Sequence, residues 1–545
     1  MKGVSMAQIA LSEKQASSGR RLLILVVIIL ALLVGALLLR PPLTATESAV
    51  ADHVSAANTL NIRAAGPFAL ADANDRLLVW LAPGQDPGEQ TAPGQLVFVD
   101  GTGGTTPVMD VPAPVSRVIP CGDEASSPDG NHFAFYMGGD AGSLYMMTGT
   151  NTPTLLDDDV QALACVGGGT FQWASDSSRF GYIAFEPGAS NSEFPDGFMH
   201  IYNTASMTEE LSADNVVAFD AAPTGVAYVS FFTNDRSEAD EAAVFWWSGN
   251  AEVEVATLQP DEDCRYTSAQ IAIASDGQFL MVMGHRCRAG DTRTSWQLYT
   301  IDPSARSATL AASDFQPGLF ASYARTNNIL LSRDGSTAIF TVPDGVTANT
   351  AAIVAVNLAD MEISVPLDRQ AVFASLSGGA NAFSRLSPDG SRLATVVTSP
   401  SNDNAVYVWN LAAPSAAPVI FEAGSTGDTI SSMVFTPDSS RLILVAGGDS
   451  GADNSLVGLD LTSGSNFRIA RGNFAQGMVV SPSGVEVALM DWQELEDPQE
   501  PSWLNLVAVN VDTSEVITLF EGAEIVDGHV ENMQFAYPLV WRRVS

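Results

Sequence analysis

Ser387-Pro388-Asp389-Gly390, followed at once by SRLATVV, is the stretch that decides the fold. Pro presets φ at the first corner, Asp bonds back to the backbone and Gly accepts a positive φ. With an apolar run directly behind it, such a turn is a β-hairpin signal. The theme returns along the chain. Ser127-Pro128-Asp129-Gly130 precedes HFAFYMG, Thr436-Pro437-Asp438-Ser439 precedes SRLILVAG, and Ser332-Arg333-Asp334-Gly335 precedes STAIFTV. Ser275-Asp276-Gly277, Ser175-Asp176-Ser177 and Ser481-Pro482-Ser483-Gly484 are further copies, while Ala222-Pro223-Thr224-Gly225 and Asp72-Ala73-Asn74-Asp75 are the poorest.

With turn centres at 74, 129, 177, 224, 276, 334, 389, 438 and 483, the spacing is 45 to 58 residues. A fixed period of that size means one structural unit per repeat. Each period holds two more apolar runs, as in AVYVWNL then APVIFEA. Four short strands per unit make a propeller blade. The expectation is therefore an all-β chain: a single β-propeller of eight or nine four-stranded blades over residues 67–545. Asp129, Gly130, Asp276, Gly277, Asp334, Gly335, Asp389, Gly390 and Asp438 are its blade-turn residues.

The motif S-P-D-G-x-x-h-A, with h apolar, resembles the WD-like propeller repeats of TolB and of the prolyl oligopeptidase and dipeptidyl peptidase families. TolB carries an α/β domain ahead of its propeller, where only a polar stretch stands here. The peptidases append a hydrolase domain, which these 545 residues do not contain. The resemblance implies a fold and no particular activity.

A ring of sheets must join its first and last blades. Met533–Trp541 (MQFAYPLVW) looks like an innermost strand without a hairpin partner. It is expected to pair with strands from residues 76–110, with Pro538 where no ladder bond is required.

Residues Leu22–Leu39, LLILVVIILALLVGALLL, are eighteen apolar residues without a charge. As a helix rising 1.5 Å per residue they span roughly 27 Å, enough for a thin bilayer core. Lys2, Lys14, Arg20 and Arg21 stand before them, and after Arg40 the next basic residue is Arg63. The positive-inside rule puts the N-terminus in the cytoplasm. The division expected is a cytoplasmic segment 1–21, a transmembrane signal anchor 22–39, a tether 40–66 and an extracytoplasmic propeller 67–545. A cleaved signal peptide is the competing reading, but the apolar run exceeds the usual 7–15 residues and the nearest A-x-A is Ala49-Val50-Ala51.

From Pro41 onward there are no lysines, 20 arginines and 61 acids. Such a surface repels phosphate backbones, which excludes nucleic acid as a partner. Cys121, Cys165, Cys264 and Cys287 all lie in this part, and an even number in an oxidising compartment points to two disulfides. Cys264 and Cys287 flank the hairpin at Asp276-Gly277 and are expected to pair across it, which leaves Cys121 with Cys165 as one way of completing the connectivity.

Catalytic signals are absent from the sequence. His53, His132, His200, His285 and His529 form no H-E-x-x-H and no metal spacing. Gly448-Asp449-Ser450-Gly451 lacks the continuation of a protease nucleophile loop, and no G-x-S-x-G is present. Asp157-Asp158-Asp159, Asp261-Glu262-Asp263 and the acids from Glu494 to Glu500 match no calcium loop and read as solvated loops. Trp246 and Trp247 adjoin in a third strand, one expected to point inward and the other out. No catalytic residue, metal or cofactor is expected. The function implied is recognition of a protein or extracellular polymer at the propeller loops, as a scaffold or accessory subunit of an envelope complex; the rival is an extracellular glycosidase- or lyase-like enzyme with carboxylates at the channel. Protease added to intact, wall-permeabilised cells should digest the propeller and spare a short N-terminal stub. A mature N-terminus near Asp52 would overturn the anchor.

Overall fold

In the computed structural model, the residues described are 63–64, 70–82, 94–112, 117–121, 126–139, 141–165, 170–185, 197–232, 239–274, 276–287, 294–315, 329–331, 337–343, 351–357, 362–364, 384–398, 404–411, 413, 416–423, 428–448, 454–474, 477–493, 503–524 and 533–543. Leu22–Leu39 and Asp334-Gly335 lie outside them. No described helix is long and apolar enough to cross a membrane.

The described strands form nine antiparallel sheets, and the one described helix is a short 3-10 turn, Ala162–Cys165. Blade 1 combines Asp75–Ala82, Gly94–Asp100 and Thr105–Val111 with Met533–Arg543 and the short strand Ala523–Glu524. Blades 2 to 9 follow in chain order over 117–161, 171–213, 216–258, 264–315, 329–364, 384–422, 428–472 and 479–521, each a four-strand meander. Arg63–Ala64, within the stretch read as a tether, adds a fifth strand to blade 9 by pairing with Glu521 and Phe520.

First strands meet first strands from blade to blade. Val216–Ala222 contacts Cys264–Ile273, which contacts Ile329–Leu331, which contacts Ser384–Leu386. Met533–Arg543 touches both Val479–Val480 of blade 9 and Arg117–Pro120 of blade 2, so the circuit closes. Nine sheets in cyclic contact among the described residues, with first strands meeting first strands, are the arrangement of a β-propeller.

The closing ladder is the one expected from the tail. Leu77 faces Trp541, Leu78 faces Val540 and Val79 faces Pro538, with a register shift between Leu78 and Val79. Pro538 thus sits beside a bulge that leaves Leu539 over, where a missing N–H does least damage. Alternation then sends blade 1 both ways. Leu77, Val79, Leu81 and Trp541 pack with Ala488, Leu506 and Leu519 of blade 9. Leu78, Trp80, Leu539 and Val540 pack with Phe133 and Phe135 of blade 2.

Both disulfides form as expected, Cys121–Cys165 and Cys264–Cys287. Trp246 and Trp247 correct a simpler picture. They do leave opposite faces of their strand, but each face is covered: Trp246 stacks on Phe279 of blade 5 and Trp247 packs with the blade 3 side. A blade inside a ring has no outward face.

Asp220 on the innermost strand of blade 4 is 2% exposed. Its Oδ2 accepts the Ile273 N–H of blade 5 at 2.8 Å, and its Oδ1 accepts the Ala221 N–H at 2.8 Å. Burial pushes its carboxyl up to about 7 against these two bonds. Because the folded state holds the proton more tightly than the unfolded chain, this contribution to stability is complete below about pH 4 and is lost as pH rises through about 7. Between pH 5 and 7 the wild type should therefore lose roughly 1.4 kcal/mol per pH unit more than Asp220→Ala. Denaturant unfolding across that interval checks it; equal slopes would overturn the assignment.

Candidate functional site

The recurrent turn connects the first strand of a blade to its second. In blade 2, Ser127 Oγ donates to Asp129 Oδ1 at 2.6 Å, and the Asn131 N–H donates to the same oxygen at 2.9 Å. The His132 N–H donates to Ser127 Oγ, and the Gly130 N–H to Ser127 O with Gly130 at φ 72°. Blade 7 repeats this with Ser387, Asp389, Gly390 and Ser391, and blade 8 with Thr436, Asp438 and Ser440. In blade 5 Asp276 Oδ1 accepts the Gln278 N–H, and Gly277 has φ 87°. Each Asp is a component of its own turn.

Two copies replace Gly by Ser, and both serine residues have a left-handed backbone: Ser177 at φ 62° and Ser439 at φ 59°. The hydroxyl repays that conformation across the blade boundary. Asp129 N–H of blade 2 donates to Ser177 Oγ of blade 3 at 2.9 Å, and Asp389 N–H of blade 7 donates to Ser439 Oγ of blade 8 at 3.1 Å. The sequence gives a signal for this link, since Ser in place of Gly at an αL position asks for a reason.

These turns line a cleft of about 370 Å³ formed by Pro128, Asp129, Ser175, Asp176, Ser177, Pro388 and Asp389. Blades 2, 3 and 7 thus share one opening at the turn face. Burial raises the Asp129 and Asp389 carboxyls, but hydrogen bonds from Ser127 and Asn131, and from Ser387 and Ser391, together hold each below the usual carboxylate range. Asp438 is lowered by the Thr436 hydroxyl and the Ser440 N–H. Turns between third and fourth strands fall at the same end of each antiparallel blade. There Asp100, Asp302 and Asp460 are likewise lowered by bonds from Thr102, Ser304 and Ser463. The face carries fixed negative charge.

Arg542, on the closing strand, supports it from below. It is 4% exposed, lies 5.7 Å over the Phe133 ring and donates to Gly149 O at 2.6 Å and Asn131 O at 3.3 Å. Burial lowers it to about 10, opposed by the charge of Asp129.

The remaining sequence candidates disperse. His132 Nδ1 lies 3.1 Å from Thr148 Oγ1, and His200 Nδ1 pairs with Glu209 at 2.7 Å. His53, His529, Asp449 to Gly451 and the acids from 494 to 500 lie outside the described residues. Asp157, Asp158 and Asp159 stand on the outer strand Thr154–Gln161 instead of in a loop, and Asp157 accepts the Tyr182 hydroxyl at 3.0 Å. A grouping the sequence did not expose is Cys264, His285 and Cys287, whose ligand atoms all lie within 4.8 Å of one another. The same hairpin pairing that joins the cysteines brings His285, two residues before Cys287, beside them.

No family model matches the sequence, and no curated protein does. Among solved structures, a dipeptidyl peptidase 4 from Porphyromonas gingivalis is 10% identical with a TM-score of 0.47, over 74% of this chain and 59% of that one. An oligogalacturonate lyase in complex with manganese is 13% identical with a TM-score of 0.41, over 82% of this chain and 100% of that one. TolB from Acinetobacter baumannii is 13% identical with a TM-score of 0.25, over 67% and 82%. The fold assignment rests on sheet order and ring closure.

Ser177 generates a test. Ser177→Gly relieves the left-handed backbone while losing the link to Asp129; Ser177→Ala keeps the unfavourable backbone and loses the link as well. Alanine should therefore be the less stable by about 1 kcal/mol. Unfolding midpoints of the two variants decide the order, and the reverse order would remove the cost assigned to the left-handed backbone at Ser177.

Proposed function

We propose that the chain is a single-pass membrane protein whose extracytoplasmic β-propeller is a binding scaffold, an accessory subunit that receives a basic segment of a protein partner at its turn face. The observation that supports this best is the cleft between the turns of blades 2, 3 and 7. Asp129 and Asp389 in its lining are locked into their turns and shifted toward the ionised form. A glycosidase needs a carboxylic acid held protonated near neutral pH, and these two move the opposite way. Fixed anions at a concave rim instead attract Lys and Arg side chains and steer their approach.

The test compares the tagged full chain, solubilised in detergent, with Asp129→Asn/Asp176→Asn/Asp389→Asn. Asn keeps the oxygen that accepts the turn bonds and removes the charge. The wild type is expected to retain a partner that salt elutes and the triple variant loses. Equal recovery of the same proteins from both would overturn the reading.

A further inference from the structure

Blade 5 holds a second chemistry, separate from the turn face. Cys264 and Cys287 are directly opposed in the antiparallel pair of Cys264–Ile273 with Phe279–Cys287, and Tyr266 opposes His285. Strand alternation puts His285 and Cys287, two residues apart, on one face of their strand. The opposed Cys264 falls on that same face. Their ligand atoms all lie within 4.8 Å of one another. Cys264 and His285 are 4% and 7% exposed, and Cys287 is half-buried, so one side of the group is open to solvent. Cys121–Cys165, by contrast, is buried at both ends with no histidine grouped beside it among the described residues.

We propose that Cys264, Cys287 and His285 are a redox-gated zinc site. While the disulfide stands, both sulfurs are occupied with each other and the site is closed. A dithiol reductant opens it: its two thiols become a disulfide, and the Cys264–Cys287 bond takes up the two electrons and two protons. Zn²⁺ then displaces the two thiol protons and binds two thiolates and one imidazole nitrogen, without changing its own oxidation state. Zn–S bonds of about 2.3 Å in tetrahedral geometry hold two sulfurs roughly 3.8 Å apart, so the released sulfurs rotate away from bonding distance to admit the ion. Neutral imidazole and thiolate are the ligands that a borderline-soft d¹⁰ ion selects, and three of them leave a fourth position for water or a partner's ligand. The hairpin already fixes the spacing, so the metal and the disulfide are alternative staples for the same two strands.

The full chain in detergent, reduced without oxygen by a phosphine and freed of it, is titrated with Co²⁺ and then Zn²⁺. One Co²⁺ per chain should give a thiolate charge-transfer band and tetrahedral ligand-field bands, both removed by Zn²⁺. Oxidised protein should give neither. His285→Ala should weaken binding by ~10-fold or more, and Cys264→Ser/Cys287→Ser should abolish the thiolate band. Alkylation with mass spectrometry supplies a residue-level reading that does not depend on the variants folding. Zinc should protect Cys264 and Cys287 of the reduced wild type and leave the reactivity of Cys121 and Cys165 unchanged. A thiolate band that survives the double serine variant, or equal alkylation of Cys264 and Cys287 with and without zinc, would overturn the site.

Discussion

The ladder between Asp75–Ala82 and Met533–Arg543 is the interaction on which the rest of the molecule depends. A meander blade is apolar on both faces, so it is stable only between two neighbours. In an open row of nine, the two end blades would each expose a face. The closing strand removes both exposures together. It lends Trp541 and Ala536 to the cluster shared with blade 9, and Leu539 and Val540 to the one shared with blade 2. Leu539 and Val540 are each worth roughly 1.5–3 kcal/mol when fully buried. Arg542, on the same strand, reaches into the turns of blade 2 and so ties ring closure to the candidate site.

The seam also carries buried carboxyl groups. Ala71 N–H donates to Glu486 Oε1 at 2.9 Å, joining the entry to blade 1 with the second strand of blade 9. Glu486 and Asp75 are both buried, and each keeps one carboxylate oxygen without a hydrogen-bond partner among the described residues. Burial raises both, Glu486 further through the nearby charge of Asp75, while Arg543 works against the rise at Asp75. Apolar packing across the seam outweighs this cost.

What could be read from the sequence was whatever local chemistry determines. Pro, Asp and Gly at a tight turn carry their own geometry, and even Ala222-Pro223-Thr224-Gly225, the degraded copy, closes a hairpin in which Ala222 faces Gly225. Ring closure was legible because an apolar run with no partner after it must find one elsewhere. Properties made by two blades at once were not legible. Nothing near Asp220 in sequence points to Ile273, 53 residues away, and Ser in the Gly position of a turn signals a bond without naming Asp129 as its partner. The outward face expected for one of the adjoining tryptophans failed for the same reason, since polar-out alternation belongs to a sheet with a wet side. The pairing of Cys264 with Cys287 was legible from the hairpin, and His285 joins them because it lies two residues from Cys287 on the same strand face.

The closing ladder has a further consequence for the order of assembly. Asp75 faces Arg543, so the pairing that completes the first blade joins nearly the two ends of the folded unit. Blades 2 to 8 are built from neighbours in the chain and can form as they emerge from the ribosome. Blade 1 cannot finish until Met533–Arg543 has been made. A contact of such sequence separation closes a very long loop, and long-range pairings of this kind slow folding. The nascent chain is therefore a curved, unfinished row of blades whose first member waits for its inner strand, and the ring is made only once Met533–Arg543 has been synthesised.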